Sequence, residues 1–345
     1  MPLLRRRILK RAKLFENKFL LETKARTMGK ISRGEKALLP DFLIVGAAKS
    51  GTTSLYFYLR QHPSIYMPPD VKEPGFLCFA GRVLPKSNPA EPYPDLWKSA
   101  VVDRATYSSL FASAGKDQLV GEATPEYLYL VDQTIATIRT LYGESHRGPK
   151  LVAVLRNPVE RLWSHYWMCL RDGYEGLPID EAIDPVVIHR RLEAGWHPQY
   201  DYIGYGFYSR AIDAYRKAVG GDRMKVFLFD DLKNDPRAVC AEIFSFLGVD
   251  AGFEPDTSTT YNVSGRLRYP WLHHLLFCRQ SFLKDFTRGV MPYDGLQWLK
   301  HRIIAWNSEK VGMPEPLKRK LQDIYRDDIR ALEKLLSRDL SVWLR

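Results

Sequence analysis

Cysteine is scarce in this chain of 345 residues: Cys78, Cys169, Cys240 and Cys278 are the only four, and none forms a Cys-x-x-Cys pair or has a His-x-x-x-His partner. That spacing excludes a structural zinc module and a disulfide framework, and free thiols in a reducing cytoplasm are the expectation. Long apolar runs are also missing. No stretch reaches the twenty or so apolar residues that a membrane-spanning helix requires. Internal repeats and low-complexity tracts are absent, which favours one domain with loop insertions over two. Acidic residues are in deficit, 40 against 51 basic ones, for a net charge of +11. A basic surplus favours an anionic partner such as a nucleotide, a polyanion or a membrane surface.

The apolar content, 45%, suffices for a sizeable core. Residues 1–38 stand apart as a basic arm or helix. Arg5, Arg6, Arg7, Lys10, Arg11 and Lys13 precede Leu14, Phe15, Phe19, Leu20 and Leu21. This stretch lacks the continuous apolar core and cleavage site of a secretory signal. A solvated arm is expected, with peripheral contact to an anionic membrane as the alternative.

From residue 39 onward, strand-like and helix-like segments alternate. Asp41–Val45, Gln118–Glu122, Leu151–Leu155 and Met224–Asp230 read as strands. Helices are expected over Thr52–Gln61, from Thr124-Pro125, from Pro158 to about Leu170, and over Tyr208–Ala218, Asp235–Leu247 and Pro314–Leu336. Two insertions interrupt the pattern, a Pro- and Gly-rich excursion at about 66–110 and an irregular stretch at 173–205. The order implies an α/β fold of three layers, a central parallel sheet flanked by helices.

Gly46-Ala47-Ala48-Lys49-Ser50-Gly51-Thr52-Thr53-Ser54 joins the first strand to the first helix. Small residues let the backbone approach a ligand, and a helix N-terminus offers unpaired N–H groups to an anion. Thr52, Thr53 and Ser54 add hydroxyls and Lys49 a full charge. Gly46 and Gly51 have the spacing of a nucleotide-triphosphatase loop, but Thr52 stands where that loop carries its Lys. The shift lowers the odds of ATPase or GTPase chemistry and leaves another anion-handling reaction. A second cation, Arg156, closes the third strand, at the sheet edge where α/β folds bind ligands. Ser164 follows about two helical turns later.

Phe42–Leu59 and Leu151–Tyr166 together resemble the two donor-binding regions of sulfotransferases that use 3′-phosphoadenosine-5′-phosphosulfate (PAPS), in the version of the carbohydrate (heparan-sulfate-like) and bacterial branch. Gly121-Glu122-Ala123-Thr124-Pro125-Glu126-Tyr127, Gly206-Phe207-Tyr208, Phe246-Leu247-Gly248-Val249 and Leu340-Ser341-Val342-Trp343 are similar to further family segments. The resemblance implies a P-loop-like fold with Lys49, Ser50, Gly51, Thr52, Thr53 and Ser54 on the 5′-phosphosulfate, and Arg156 and Ser164 on the 3′-phosphate. Lys72-Glu73-Pro74-Gly75-Phe76 resembles a segment whose Glu deprotonates the acceptor. It implies Glu73 as general base, with Lys72 beside it favouring the ionised form. Lys49 would stabilise charge on the leaving phosphate. Gly265 and Arg266 resemble a loop that closes over the donor, although one extra residue separates them from Tyr269-Pro270. The sequon Asn262-Val263-Ser264 is expected to be unused.

Taken together, the resemblance implies transfer of a sulfuryl group from PAPS, leaving 3′,5′-adenosine bisphosphate (PAP), to a hydroxyl or amine of a sugar-containing or lipid-linked acceptor. No metal and no nucleic acid are expected. Gly75 replaces a His of the family pattern and Ala123 a Lys that handles acidic sugars, which weakens heparan sulfate itself as the acceptor. Tyr93, Trp97, Tyr107, Trp196, Tyr200 and Tyr202 could stack on sugar rings or line an apolar cleft; packing is the expectation for most, and none is assigned to the substrate. The competing expectations are a P-loop nucleotide kinase and a non-catalytic polyanion- or membrane-binding protein on the same fold.

Overall fold

A computed structural model describes residues 38–82, 84, 93–143, 148–259, 265–269, 302–303, 306–309 and 311–345. All but the last residue of the expected basic arm, and the sequon at 262–264, lie outside the described residues.

In chain order the first elements are β1 (Phe42–Gly46), α1 (Thr52–Leu59), β2 (Ile65–Tyr66), α2 (Phe76–Phe79), α3 (Arg104–Ser109) and β3 (Leu119–Ala123). They are followed by α4 (Glu126–Tyr129), α5 (Val131–Tyr142), β4 (Lys150–Leu155), α6 (Pro158–Arg171), α7 (Ile179–Ala182), α8 (Pro185–Glu193) and α9 (Ser209–Val219). Then come β5 (Met224–Leu228), α10 (Phe229–Asn234), α11 (Pro236–Leu247), the two-residue strands β6 (Arg266–Leu267) and β7 (Ser308–Glu309), and α12 (Glu315–Leu336).

The main sheet runs β2-β3-β1-β4-β5 with every pairing parallel. Its central strands are apolar throughout because both faces are covered. In β1, Leu43 and Val45 enter one core, with α5, α6, α9 and α12 above them. Phe42 and Ile44 enter the other, against α1 and α11. β4 repeats this division, with Leu151, Ala153 and Leu155 on one side and Val152 and Val154 on the other. The three-layer expectation is met.

Three local expectations change. The strand expected to reach Asp230 stops at Leu228, because the Asp231 carboxylate accepts the Leu228 N–H at 3.2 Å and starts α10. The stretch 173–205, expected to be irregular, contains α7, α8 and two 3₁₀ turns. A buried ion pair fixes it: Arg191 Nη1 and Nη2 donate to Glu175 Oε2 and Oε1 at 2.7 and 2.9 Å. The same guanidinium lies 5.0 Å from the rings of both Trp196 and Tyr200. The excursion at 66–110 likewise carries short helices, α2 and α3, that its Pro and Gly content concealed.

Candidate active site

β1 and β4 are neighbours, and the segments that leave their carboxyl ends form one side of a site. The Ala47 N–H donates to Val154 O at 2.7 Å, so the first loop begins hydrogen-bonded to the adjoining strand. Gly46 is packed so closely on α4 that an added Cβ would come within 2.8 Å of Leu128 Cβ. Gly51, at φ 85°, is the left-handed residue that turns the loop into α1, a conformation glycine adopts without steric cost.

Lys49 also has a left-handed backbone, φ 64°. Its partly buried ammonium donates to the Met168 thioether at 3.3 Å, and a thioether is a weak acceptor. Burial first, and the nearby Arg171 guanidinium second, pull its pKa down to about 7. Ser50 is fully buried, and its Oγ has no hydrogen-bond partner among the described residues. An orphaned buried hydroxyl is costly unless a ligand completes it. Thr52, Thr53 and Ser54 occupy the first turn of α1 and are buried.

Arg156 leaves β4 toward this loop. Its Nη1 donates to Lys49 O at 3.4 Å, its Nη2 to Glu160 Oε2 at 3.0 Å, and its guanidinium lies 4.8 Å from the Phe229 ring centroid. The Tyr208 hydroxyl donates to Arg156 O at 3.0 Å and pins the strand end. Ser164 lies on the buried side of α6. Lys49, Ser50 and Arg156 are thus brought together at the end of the central strands. Gly265 is buried, and β6 packs against α6, the helix that carries Ser164. Of Arg266 only the backbone is described.

Glu73 sits on a different support. Its backbone is left-handed, φ 66°, its side chain is 40% exposed, and Lys72 Nζ donates to its Oε1. The turn that carries it docks on the segment following β3. The Gly75 N–H donates to Thr124 Oγ1 and the Leu77 N–H to Tyr127 Oη, each at 3.2 Å. Because β3 is paired with β1, Glu73 and the anion loop flank the same sheet edge.

Two further carboxyls in this region have no role in the expectations drawn from the sequence. Glu122 is buried and accepts from the hydroxyls of Tyr107, Thr124 and Tyr127. Burial pushes its pKa up to about 7 against the pull of those donors. Glu126 is raised to about 7 by burial and by the charge of Glu73. Both lie within the Gly121–Tyr127 segment, which was the available signal. What was not readable is that this segment faces Glu73. Trp97, Tyr107, Tyr200 and Tyr202 are buried.

Residues 40–255 match the sulfotransferase family. A solved sulfotransferase from Alicyclobacillus acidocaldarius is 29% identical and superposes with a TM-score of 0.66, covering 89% of this chain and 100% of that one. The membrane-associated sulfotransferase kil1 of Dictyostelium discoideum is 29% identical over 133 residues, which are 39% of this chain and 24% of the relative. The heparan sulfate glucosamine 3-O-sulfotransferase 3B1 of Mus musculus is 25% identical over 211 residues, 61% of this chain and 46% of the relative. The chain therefore spans less than half the length of these curated relatives. With more than half of its residues matched, and with the parallel sheet and strand-end loop in place, the chain belongs to the sulfotransferase family.

Proposed function

We propose that this protein transfers the sulfuryl group of PAPS to a hydroxyl of a carbohydrate-containing acceptor. The observation that carries this reading is the loop after β1, where the buried Ser50 hydroxyl has no hydrogen-bond partner among the described residues, the Lys49 ammonium donates to a thioether, and Arg156 donates to Lys49 O. Such a donor set fits an anion with several oxygens, since each group offers a proton and the one carboxylate on it, Glu160 at Arg156, is exposed. Lys49, Ser50, Gly51, Thr52, Thr53 and Ser54 would hold the phosphosulfate end. Arg156 and Ser164 would hold the 3′-phosphate, with Gly265 and Arg266 closing over the donor.

When bound, PAPS supplies an electrophilic sulfur whose bond to the 5′-phosphate oxygen breaks as the acceptor oxygen bonds to it. Glu73 takes the proton that the acceptor hydroxyl loses, so its carboxylate becomes a carboxylic acid and the charge passes to the departing phosphate. The exposure of Glu73 leaves it open to an acceptor, while Lys72 neutralises it from one side. Lys49 and the loop N–H groups stabilise the charge on the phosphate oxygen, in place before the reaction and without reorganisation.

The name of the mouse relative, a heparan sulfate glucosamine 3-O-sulfotransferase, supports a sugar-containing acceptor. No described helix is long and apolar enough to cross a membrane, and a cytoplasmic location with peripheral lipid contact through the basic arm belongs to the same proposal. The test is incubation with PAPS carrying labelled sulfur and a panel of glycans, glycolipids and phenols. Label should move to a sugar-containing member of the panel. Phosphate transfer from ATP in place of sulfuryl transfer would replace this reading with that of a nucleotide kinase.

A further inference from the structure

Three consecutive residues after Glu73-Pro74 are held by side chains that converge on one buried carboxylate. The Gly75 N–H donates to Thr124 Oγ1 at 3.2 Å, and Thr124 Oγ1 donates to Glu122 Oε2 at 2.8 Å. The Leu77 N–H donates to Tyr127 Oη at 3.2 Å, and that hydroxyl donates to Glu122 Oε1. Between them the Phe76 ring stacks on Tyr107, centroids 4.3 Å apart and 22° between planes, and the Tyr107 hydroxyl donates to Glu122 Oε1 at 3.0 Å. On the far side of the turn, Pro74 O accepts from the Val101 N–H at 2.8 Å.

The chemistry of the three hydroxyls gives this arrangement its direction. Each has one proton to donate and lone pairs with which to accept. All three protons are donated to the Glu122 carboxyl oxygens. That leaves the lone pairs of Thr124 and Tyr127 facing the backbone N–H groups of the turn. α2 is only one turn long, and such a helix cannot hold its own start in place. Glu122 therefore fixes a backbone it does not touch.

We propose that Glu122 is a positioning residue for Glu73, acting through Thr124, Tyr127 and Tyr107 to fix the backbone of residues 75–77 and with it the left-handed turn that presents the base. This rests on the reading of Glu73 as the general base. Without Glu122 the hydroxyls lose their common acceptor and rotate. The N–H groups of Gly75 and Leu77 then lose ordered partners, and Glu73 samples positions from which it does not reach the acceptor proton. Small misplacements of a catalytic group lower the rate steeply.

The test is hydrogen–deuterium exchange of the full chain, read by mass spectrometry over residues 73–79, in Glu122→Gln, Thr124→Val and Tyr127→Phe. Turnover of labelled-sulfur PAPS with the acceptor panel is followed in parallel, with Glu73→Gln as the reference. Exchange over 73–79 is expected to rise roughly tenfold in each variant, the effect of losing one or two backbone hydrogen bonds. Melting temperature, PAP affinity and KM for PAPS should stay near wild type while kcat falls roughly tenfold, a split that a purely structural role would not give. Thr124→Ser, which keeps the hydroxyl, should restore both exchange and kcat.

Unchanged exchange at 73–79 in Thr124→Val and Tyr127→Phe overturns the proposal. So does wild-type kcat in both when Glu73→Gln has lost turnover. Full turnover in Glu73→Gln instead removes the base assignment, and the exchange data then judge the positioning alone.

Discussion

The two sides of the site are built on different principles. On the side proposed for the donor, backbone does most of the work. The loop at Gly46–Ser54 continues from a central strand, is tied to β4 by a main-chain hydrogen bond and turns directly into α1. On the side proposed for the acceptor, side chains from distant parts of the sequence do the holding. The turn that follows Glu73 is hydrogen-bonded to Thr124 and Tyr127, and away from it the 173–205 insertion is likewise held by side chains, the Arg191–Glu175 pair. On the proposed reading, the contrast teaches that the donor would be bound by what the fold makes unavoidable. The acceptor would be met by segments that change without disturbing the sheet.

The sharpest break between the two sides is Glu73→Gln. Sulfuryl transfer should fall by about a hundred- to ten-thousand-fold, the range for loss of a general base, while PAP binding by calorimetry stays at wild type. Arg191→Met attacks the side-chain support of the 173–205 insertion. It leaves the buried Glu175 carboxylate without its cation, which should cost about 3–5 kcal/mol of stability in a denaturant titration. Lys49→Met attacks the donor side, and there turnover and PAP affinity should fall together. The loss of turnover should be about a hundred- to a thousandfold, as for removal of one charge-stabilising donor.

Proton linkage sharpens the same contrast. The Lys49 ammonium, with its pKa lowered to about 7 in the free protein, is driven back to the charged form by a bound phosphate, so binding takes up a proton above neutrality. PAP affinity should therefore weaken as pH rises past about 7, approaching roughly tenfold per pH unit at the limit. Calorimetry in buffers of different ionisation enthalpy would register the uptake, and Lys49→Met should abolish it. The smallest effect is expected at Glu160, whose exposed carboxylate competes for Arg156. Glu160→Ala should tighten PAP binding by no more than about fivefold, the worth of a surface ion pair.

The same division explains what the sequence revealed. β1 and β4 were legible because strands covered on both faces are apolar at every position, and Gly46 to Ser54 because small residues, hydroxyls and a Lys crowd one strand-to-helix turn. Glu73 was reached only through family resemblance; its own neighbours, Lys72 and Pro74, read as an ordinary surface loop. The helices at 179–182 and 185–193 were hidden because a short helix has little stability of its own, and these depend on an ion pair between residues 175 and 191. The placement of Glu122 and Glu126 was hidden for the same reason. No local pattern records that the end of β3 and the start of α4 bring them to a turn about fifty residues earlier in the chain.

The most direct test of PAPS as the donor is a parallel titration of the full chain with PAP and with ADP, in wild type and in Arg156→Ala. Sulfuryl transfer from PAPS predicts that PAP binds well ahead of ADP and that Arg156→Ala erases most of that preference, because the 3′-phosphate is the group that distinguishes the two at Arg156. Equal or tighter binding of ADP, or a preference for PAP that survives in Arg156→Ala, would contradict it.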